Sequence, residues 1–306
     1  MRSSDGCHAI ARRDWMQLGM GFLIGSGTAG LTGCELGPNQ KPSEAPVSEA
    51  SVSEASASPS RSKRDWQPSP FRKMVALGES TTAGGWSTSP DRCWVPLLAA
   101  LVNDFQETPM EYVNSGIGAN VISKQSPGYD HSGKPAALER LDRHVVAHNP
   151  DLLIVSYGLN DARGATPLPL FREELLRVLR EVRASLQPLI VLLSPYYMTA
   201  SAFKDHAPHW NHATLEVFRQ FGRATAEVAA AEDCLYVDVL AANGETDWMV
   251  HYDGVHQNDL GHRIVANRVF EVLAQNCSGL ARKTKEAEKR SPRWRDESML
   301  RADYGY

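Results

Sequence analysis

Residues 74–77 are Met-Val-Ala-Leu, and four similar short runs follow along the chain, at 112–113, 152–155, 189–193 and 235–239. These runs are largely apolar on both faces, which is typical of parallel strands covered by helices on both sides. Longer helical patterns separate them, over about 135–148, 168–186, 210–231 and 258–275. The alternation predicts an α/β fold, a three-layer α/β/α sandwich around a mainly parallel five-stranded sheet.

Composition and charge indicate a globular protein without nucleic-acid partners. The 306 residues are 42% hydrophobic and 22% charged, with 32 Lys and Arg against 36 Asp and Glu. A formal net charge of −4 provides no basic field for a phosphate backbone. The body of the chain has no apolar run long enough to cross a bilayer, so we do not expect a polytopic membrane protein.

The first 34 residues have the layout of an export signal. Arg12 and Arg13 precede a Gly-rich, weakly apolar stretch that ends in Leu-Thr-Gly-Cys at residues 31–34. This segment resembles a bacterial lipoprotein signal, with Cys34 in the lipidated position, and its arginine pair resembles a twin-arginine signal. We therefore expect an exported periplasmic or cell-surface lipoprotein, tethered to the membrane through Cys34 alone. An ordinary N-terminal helix is the alternative, which five glycines between residues 19 and 30 disfavour.

Composition also divides the remainder of the chain. Residues 35–70 are rich in Ser, Glu, Ala and Pro, and predict a disordered linker. Residues 71–280 form the predicted folded domain, and 281–306 a charged tail or frayed helix. Within the domain, Cys93, Cys234 and Cys277 allow at most one disulfide, and no Cys-x-x-Cys pair suggests zinc or redox chemistry.

Four segments carry chemically distinctive residues. Residues 78–84 (GESTTAG), 114–118 (NSGIG) and 158–161 (GLND) each follow a predicted strand, and 253–262 (DGVHQNDLGH) lead into the last predicted helix. Because ligands of such folds bind at the carboxyl ends of the strands, we expect the four segments to meet there. They supply a hydroxyl nucleophile, an imidazole, a carboxylate and amide donors, which are the groups that acyl transfer requires.

In these four blocks and their order, the chain resembles the SGNH/GDSL hydrolases. The resemblance implies a flavodoxin-like fold and an ester hydrolase that needs no metal or organic cofactor. It assigns Ser80 as the nucleophile, His256 as the base and Asp253 as the acid that orients it. The oxyanion hole would comprise the backbone N–H groups of Ser80 and Gly116 and the side-chain amide of Asn160.

The resemblance leaves the substrate open. Short acyl esters, above all acetyl groups on carbohydrate, are the favoured small-molecule or glycan substrates. A lysophospholipase or thioesterase, and a glycan-binding protein without catalysis, are the alternatives. Glu79 replaces the Asp of the family pattern, and Gln257 stands where Pro often follows the histidine. No Gly-x-Ser-x-Gly elbow occurs, which excludes the common α/β-hydrolase arrangement.

Four other histidines are candidates for a functional role. His262 falls inside the last predicted helix, whereas His256 precedes it with Asp253 three residues earlier, so His256 is preferred as the base. His206, His209 and His212 recur at intervals of three, but Pro208 interrupts the run and a helix would spread them over a wide arc. We therefore predict an exposed or substrate-facing loop there rather than a metal site.

Overall fold

The structure is a computed structural model that describes residues 63–204, 208–291 and 297–305. The predicted export signal, Cys34, His206 and most of the predicted linker lie outside these residues. Five strands form a single parallel sheet: β1 (Lys73–Gly78), β2 (Glu111–Gly116), β3 (Leu152–Ser156), β4 (Leu189–Leu193) and β5 (Leu235–Val237). Their order across the sheet is β2-β1-β3-β4-β5. All five predicted strands and the predicted fold class are thus confirmed.

Helices connect and cover the strands. The α-helices are α1 (Ser80–Ala83), α2 (Trp94–Asp104), α3 (Leu141–His144), α4 (Leu159–Arg163), α5 (Leu168–Arg183), α6 (Leu215–Ala231), α7 (Val239–Ala242), α8 (Asp259–Asn276), α9 (Arg282–Glu288) and α10 (Ser298–Ala302). Single 3₁₀ turns lie at Pro90–Arg92, Tyr129–His131, Ala137–Glu139, Val146–His148, Pro208–Trp210, Asp247–Met249 and Ser278–Ala281. No helix among the described residues is long and apolar enough to cross a membrane.

The helices form a layer on each face of the sheet. Helix α2 packs against α8, while α5 packs against α6, which also contacts β4 and β5. This is the distribution that right-handed crossovers produce when the chain starts in the middle of a sheet and winds outward in both directions. Every residue of β3 and β4 is buried, as expected for central strands covered on both faces.

Several predicted helix boundaries were wrong. The predicted helix over 135–148 is instead a 3₁₀ turn, the four-residue α3 and a second 3₁₀ turn. Helix α6 begins only at Leu215, because Thr214 caps it by accepting the N–H of Val217 at 3.3 Å. Strand β5 ends at Val237 rather than Val239, since Asp238 caps α7 by accepting the N–H of Ala241 at 2.9 Å.

The last residues of the predicted linker contact the folded domain. Trp66 donates its backbone N–H to the Asn276 carbonyl at 2.9 Å, and Gly279 donates to the Gln67 carbonyl at the same distance. Residues 66–70 therefore pack against the C-terminal end of α8. At the other end, the predicted tail contains α9, whose residues are exposed.

The cysteines of the domain are unpaired. Cys93, Cys234 and Cys277 are each buried with a free thiol. The sequence allowed at most one disulfide among them, and the described residues contain none. Burial raises the pKa of the Cys93 and Cys234 thiols to about 11, so they stay protonated at neutral pH.

Candidate active site

The four chemically distinctive segments meet at the carboxyl edge of the sheet. Ser80 is the first residue of α1, directly after β1, and Asn160 lies in the first turn of α4, soon after β3. In the sheet register Gly78 at the end of β1 pairs with Gly116 of β2 and with Ser156 of β3. The strand ends are therefore level, and the residues that follow them emerge side by side.

A continuous hydrogen-bonded chain joins Ser80, His256 and Asp253. Ser80 Oγ lies 2.8 Å from His256 Nε2, and His256 Nδ1 lies 2.6 Å from Asp253 Oδ2. The other carboxylate oxygen accepts the N–H groups of Val255 at 2.9 Å and His256 at 3.1 Å, so the loop itself fixes the carboxylate. Gly254 closes this turn at a φ of 74°, which favours glycine. This arrangement lets an imidazole remove a hydroxyl proton.

The protonation states suit that role. Burial is the main cause that lowers the pKa of His256, against the opposing effect of the Asp253 carboxylate. For Asp253, burial raises the pKa, but the hydrogen bonds from His256 and Val255 outweigh it and lower the pKa overall. At neutral pH the imidazole is thus an unprotonated base beside an ionised carboxylate.

Asn160 is held on both ends of its side chain. Its Nδ2 donates to the Asn120 carbonyl at 3.1 Å, and its Oδ1 accepts from Arg163 Nη1 at 3.3 Å. The bond from the guanidinium fixes which end of the amide carries the nitrogen, and Nδ2 retains a second hydrogen that can donate to a ligand. This free hydrogen is what the predicted role of Asn160 as an oxyanion donor requires.

The backbone N–H of Gly116, another predicted oxyanion donor, already has a partner in this structure. It donates to Asn114 Oδ1 at 3.0 Å. A Cβ at this position would lie 2.1 Å from the Ala83 nitrogen. The glycine is thus required because β2 approaches the backbone of α1 closely, and an oxyanion could use its N–H only after the bond to Asn114 opened.

Glu79, the departure from the family pattern, links two of the segments. Its side chain is only 1% exposed, and Oε1 accepts the backbone N–H groups of Gly158 at 3.2 Å and Asn160 at 3.1 Å. Burial, and then repulsion from Asp161, raise the pKa of Glu79 well above its ordinary value. The carboxyl group beside Ser80 thereby fixes the backbone that carries Asn160.

A buried arginine that the sequence analysis did not single out also stabilises this edge. Arg140 Nη1 donates to the Ser115 carbonyl at 2.8 Å, and Nη2 donates to the Gly78 carbonyl at 3.1 Å and to Tyr157 Oη at 2.7 Å. It therefore joins the ends of β1 and β2 to the residue after β3. Its position in an irregular segment far along the chain gave no sequence signal of this contact.

The remaining sequence candidates lie away from this chain of bonds. His262 is buried in α8, where burial lowers its pKa to about 4, whereas the imidazole that contacts Ser80 Oγ is that of His256. His209 stacks on His131 with ring centroids 3.4 Å apart. No cluster of three or more potential metal ligands occurs within the described parts of the chain. Gln257, at the position where Pro often occurs, is buried and donates to the Tyr197 carbonyl at 3.2 Å.

A parallel α/β sheet that carries a serine, a histidine and a carboxylate at its carboxyl edge is the layout of an acyl-transferring hydrolase. Comparison with protein families agrees. The model of the GDSL-like lipase/acylhydrolase family matches residues 76–264, more than half of the chain, and the chain belongs to this family. The protein is accordingly a carboxylic ester hydrolase.

The chain is similar to several named esterases and acylhydrolases. An acetylxylan esterase of Geobacillus stearothermophilus is 26% identical over 186 residues, which cover 56% of this chain and 74% of that protein. The crystal structure of an acetylxylan esterase from the same organism superposes with a TM-score of 0.52 at 20% identity, over 68% of this chain and 96% of the other. A lipase/acylhydrolase from Enterococcus faecalis gives a TM-score of 0.54 at 20% identity, over 67% and 96%. The structural matches establish a shared fold.

Proposed function

We propose that the protein hydrolyses short acyl esters, in particular acetyl esters of carbohydrate, through an acyl-enzyme on Ser80. The observation that carries this proposal is the unbroken chain from Ser80 Oγ through the imidazole of His256 to Asp253, at 2.8 and 2.6 Å. Short bonds of this kind prepare the hydroxyl for attack before substrate arrives.

The proposed reaction has two halves. His256 removes the Ser80 proton while Oγ attacks the ester carbonyl, and the imidazolium then protonates the departing alcohol. Water attacks the acyl-enzyme with His256 again as base, which releases the acid and restores Ser80. The Ser80 N–H, at the start of α1 where helical N–H groups lack internal partners, and Asn160 Nδ2 donate to the oxyanion. The Gly116 N–H would donate to the oxyanion as well only if its hydrogen bond to Asn114 Oδ1 opened.

Two features support a carbohydrate ester. The Geobacillus relative is an acetylxylan esterase. In addition, a cleft of about 360 Å³ borders Asp253 and includes Thr199, Asp247 and Tyr252 in its lining. Tyr252 is 96% exposed and nearby Trp248 74% exposed. Exposed aromatic faces beside hydroxyl and carboxylate groups offer a sugar ring both an apolar surface and hydrogen-bond partners.

The direct test is hydrolysis of p-nitrophenyl acetate by the purified protein and by Ser80→Ala. Ser185, which is exposed in the connection between α5 and β4, provides a matched Ser→Ala control. We expect Ser80→Ala to abolish turnover and Ser185→Ala to leave it intact. Equal activity in all three proteins would refute a serine mechanism, and glycan binding without turnover would favour the non-catalytic alternative.

A substrate series identifies the acyl group and the alcohol. Esters with acyl chains of 2 to 12 carbons, run beside acetylated xylo-oligosaccharides, should show the highest kcat/KM for acetyl groups on sugar. A preference that rises with chain length would instead favour the lipid-esterase alternative.

We further propose that residues 1–34 are an export signal and that a lipid on Cys34 tethers the exported enzyme to the membrane. The support is the Leu-Thr-Gly-Cys sequence after the arginine pair and the apolar stretch. Several acyl chains on one cysteine would hold the protein at a membrane. Labelled palmitate should enter the protein and depend on Cys34, with Cys7→Ala as control. Undiminished labelling of Cys34→Ala would refute the anchor.

A further inference from the structure

Trp86 lies flat against the imidazole of His256. The ring centroids are 3.3 Å apart, and the ring planes are within 3° of parallel. We propose that Trp86 is a positioning residue for the base: it fixes the tilt of the imidazole between Ser80 and Asp253, and its π face stabilises the imidazolium formed during acyl transfer. This role rests on the proposed function and adds to it a residue outside the four motif blocks.

The loop that carries Trp86 is anchored to the helix that follows His256. Ser87 Oγ lies within hydrogen-bond distance of two backbone carbonyls of the loop, at 2.7 and 2.9 Å, to either of which its hydroxyl can donate. Thr88 donates its N–H and its hydroxyl to the two carboxylate oxygens of Asp259, at 2.8 and 2.6 Å. Asp259 is the first residue of α8, three positions after His256. The indole and the imidazole are thus held by connected segments.

Stacking supplies a restraint that the hydrogen bonds of His256 do not. Bonds at Nδ1 and Nε2 fix the imidazole along the line that joins these nitrogens, but the ring can still tilt about that line. A flat indole against one face opposes this tilt. The attraction also grows when the ring becomes charged, because a cation interacts favourably with an aromatic face. Trp86 therefore stabilises the transition state more than the resting enzyme.

Several charges act on the same imidazole and must be separated from the effect of Trp86. Burial lowers the pKa of His256, as do Arg163 from α4 and His251 from the preceding loop, while Asp253 opposes them. His262 in α8 also interacts with His256. Replacing Trp86 by leucine leaves all these groups in place and keeps an apolar cover, so it removes chiefly the π face.

The kinetic test compares Trp86→Leu with Trp86→Phe on p-nitrophenyl acetate. We expect Trp86→Leu to lower kcat by about 3- to 30-fold, the range of a partly desolvated cation–π contact, with KM nearly unchanged. Trp86→Phe should retain most of the activity because it keeps an aromatic face. The acid limb of the kcat/KM profile should move to lower pH in Trp86→Leu, since its imidazolium has lost a stabilising neighbour.

A spectroscopic test requires no substrate. A protonated imidazole quenches the emission of a stacked indole, so wild-type fluorescence should fall as the pH drops through the pKa of His256. Trp86→Phe should lose this step. Trp66→Phe is the matched control and should keep it, because Trp66 lies at the C-terminal end of α8, under the guanidinium of Arg64 and roughly 27 Å along the helix from its start.

The outcomes separate the proposals. An unchanged kcat and acid limb in Trp86→Leu would overturn the positioning role, and a raised KM at constant kcat would make Trp86 a wall of the substrate pocket instead. Absence of the pH step in the wild type would exclude the stack in solution, even if Trp86→Leu failed to fold. If the wild type hydrolysed no ester, the proposed function would fail while the emission step still tested the stack.

Discussion

Replacing Glu79 with alanine should destabilise the fold and lower kcat together. The Glu79 side chain accepts two buried backbone N–H groups, from Gly158 at 3.2 Å and Asn160 at 3.1 Å. Each buried donor left without a partner costs about 1–3 kcal/mol, so the variant should lose about 2–6 kcal/mol of unfolding free energy. The same change releases the backbone of Asn160, and a displaced oxyanion donor lowers kcat.

Glu79→Gln separates the hydrogen bonds from the charge. The amide oxygen can still accept both N–H groups, so kcat should be close to that of the wild type. The pKa of Glu79 is raised well above 4.5 in the folded protein. Between 4.5 and the folded pKa the unfolded chain therefore binds fewer protons than the native one, and the wild type loses stability as pH rises. Glutamine does not titrate and so does not lose stability in this way. The stability of Glu79→Gln relative to the wild type should therefore increase with pH above 4.5.

Urea unfolding at pH 4.5 and pH 8, combined with kcat on p-nitrophenyl acetate, checks both variants. Exposed Glu173 on α5 provides the control, since Glu173→Gln should follow the wild type at both pH values. If the unfolding free energy of Glu79→Ala were within 1 kcal/mol of that of the wild type, the two hydrogen bonds to Glu79 would not stabilise the fold as argued. A Glu79→Gln variant whose advantage shrinks with rising pH would refute the assignment of the raised pKa.

Three further predictions concern the site itself. The acid limb of kcat/KM should have its midpoint below 6.5, because burial lowers the pKa of His256; a midpoint at or above 6.5 contradicts this. Asp253→Asn should lower kcat roughly 10²–10⁴-fold, since the amide no longer orients and stabilises the imidazolium, and a loss under tenfold in steady-state assays would contradict it. Tyr252→Ala should raise KM for acetylated xylo-oligosaccharides but not for p-nitrophenyl acetate, with Tyr112→Ala on the edge strand β2 as control. An equal effect on both esters would remove Tyr252 from sugar binding.

The sequence predicts the sheet well and the helix boundaries less well. Short apolar runs identify all five strands, because burial on both faces leaves no polar alternation. Burial also explains why the predicted end of β5 was wrong. Val239 is as buried in α7 as it would be in a strand, so hydrophobicity cannot distinguish the two, and only the cap at Asp238 marks the change. Over 135–148, apolar spacing suggested one helix where the chain forms three short turns.

The site is predictable where a motif carries its chemistry and not where distant residues carry its geometry. Ser80, His256 and Asp253 could be named from two short blocks, and the structure brings them into contact. The hydrogen bond from the Gly116 N–H to Asn114 could not be predicted, because it depends on how the Asn114 side chain turns back onto its own strand. Trp86 likewise had no signal, since its stack on His256 joins residues 170 positions apart.

Buried ionisable groups at this edge of the sheet are better explained by function than by stability. Glu79, Arg140 and Asp161 are each at most 2% exposed, and each joins segments that follow different strands. Asp161 accepts from Ile122 and from Ser126, and its burial raises its pKa to about 6. Burying such groups usually costs as much as their bonds return, so apolar replacements of similar shape often stabilise a fold. Their bonds join the segments that carry Ser80 and Asn160, which indicates that rigidity of the proposed oxyanion donors is maintained at the expense of stability.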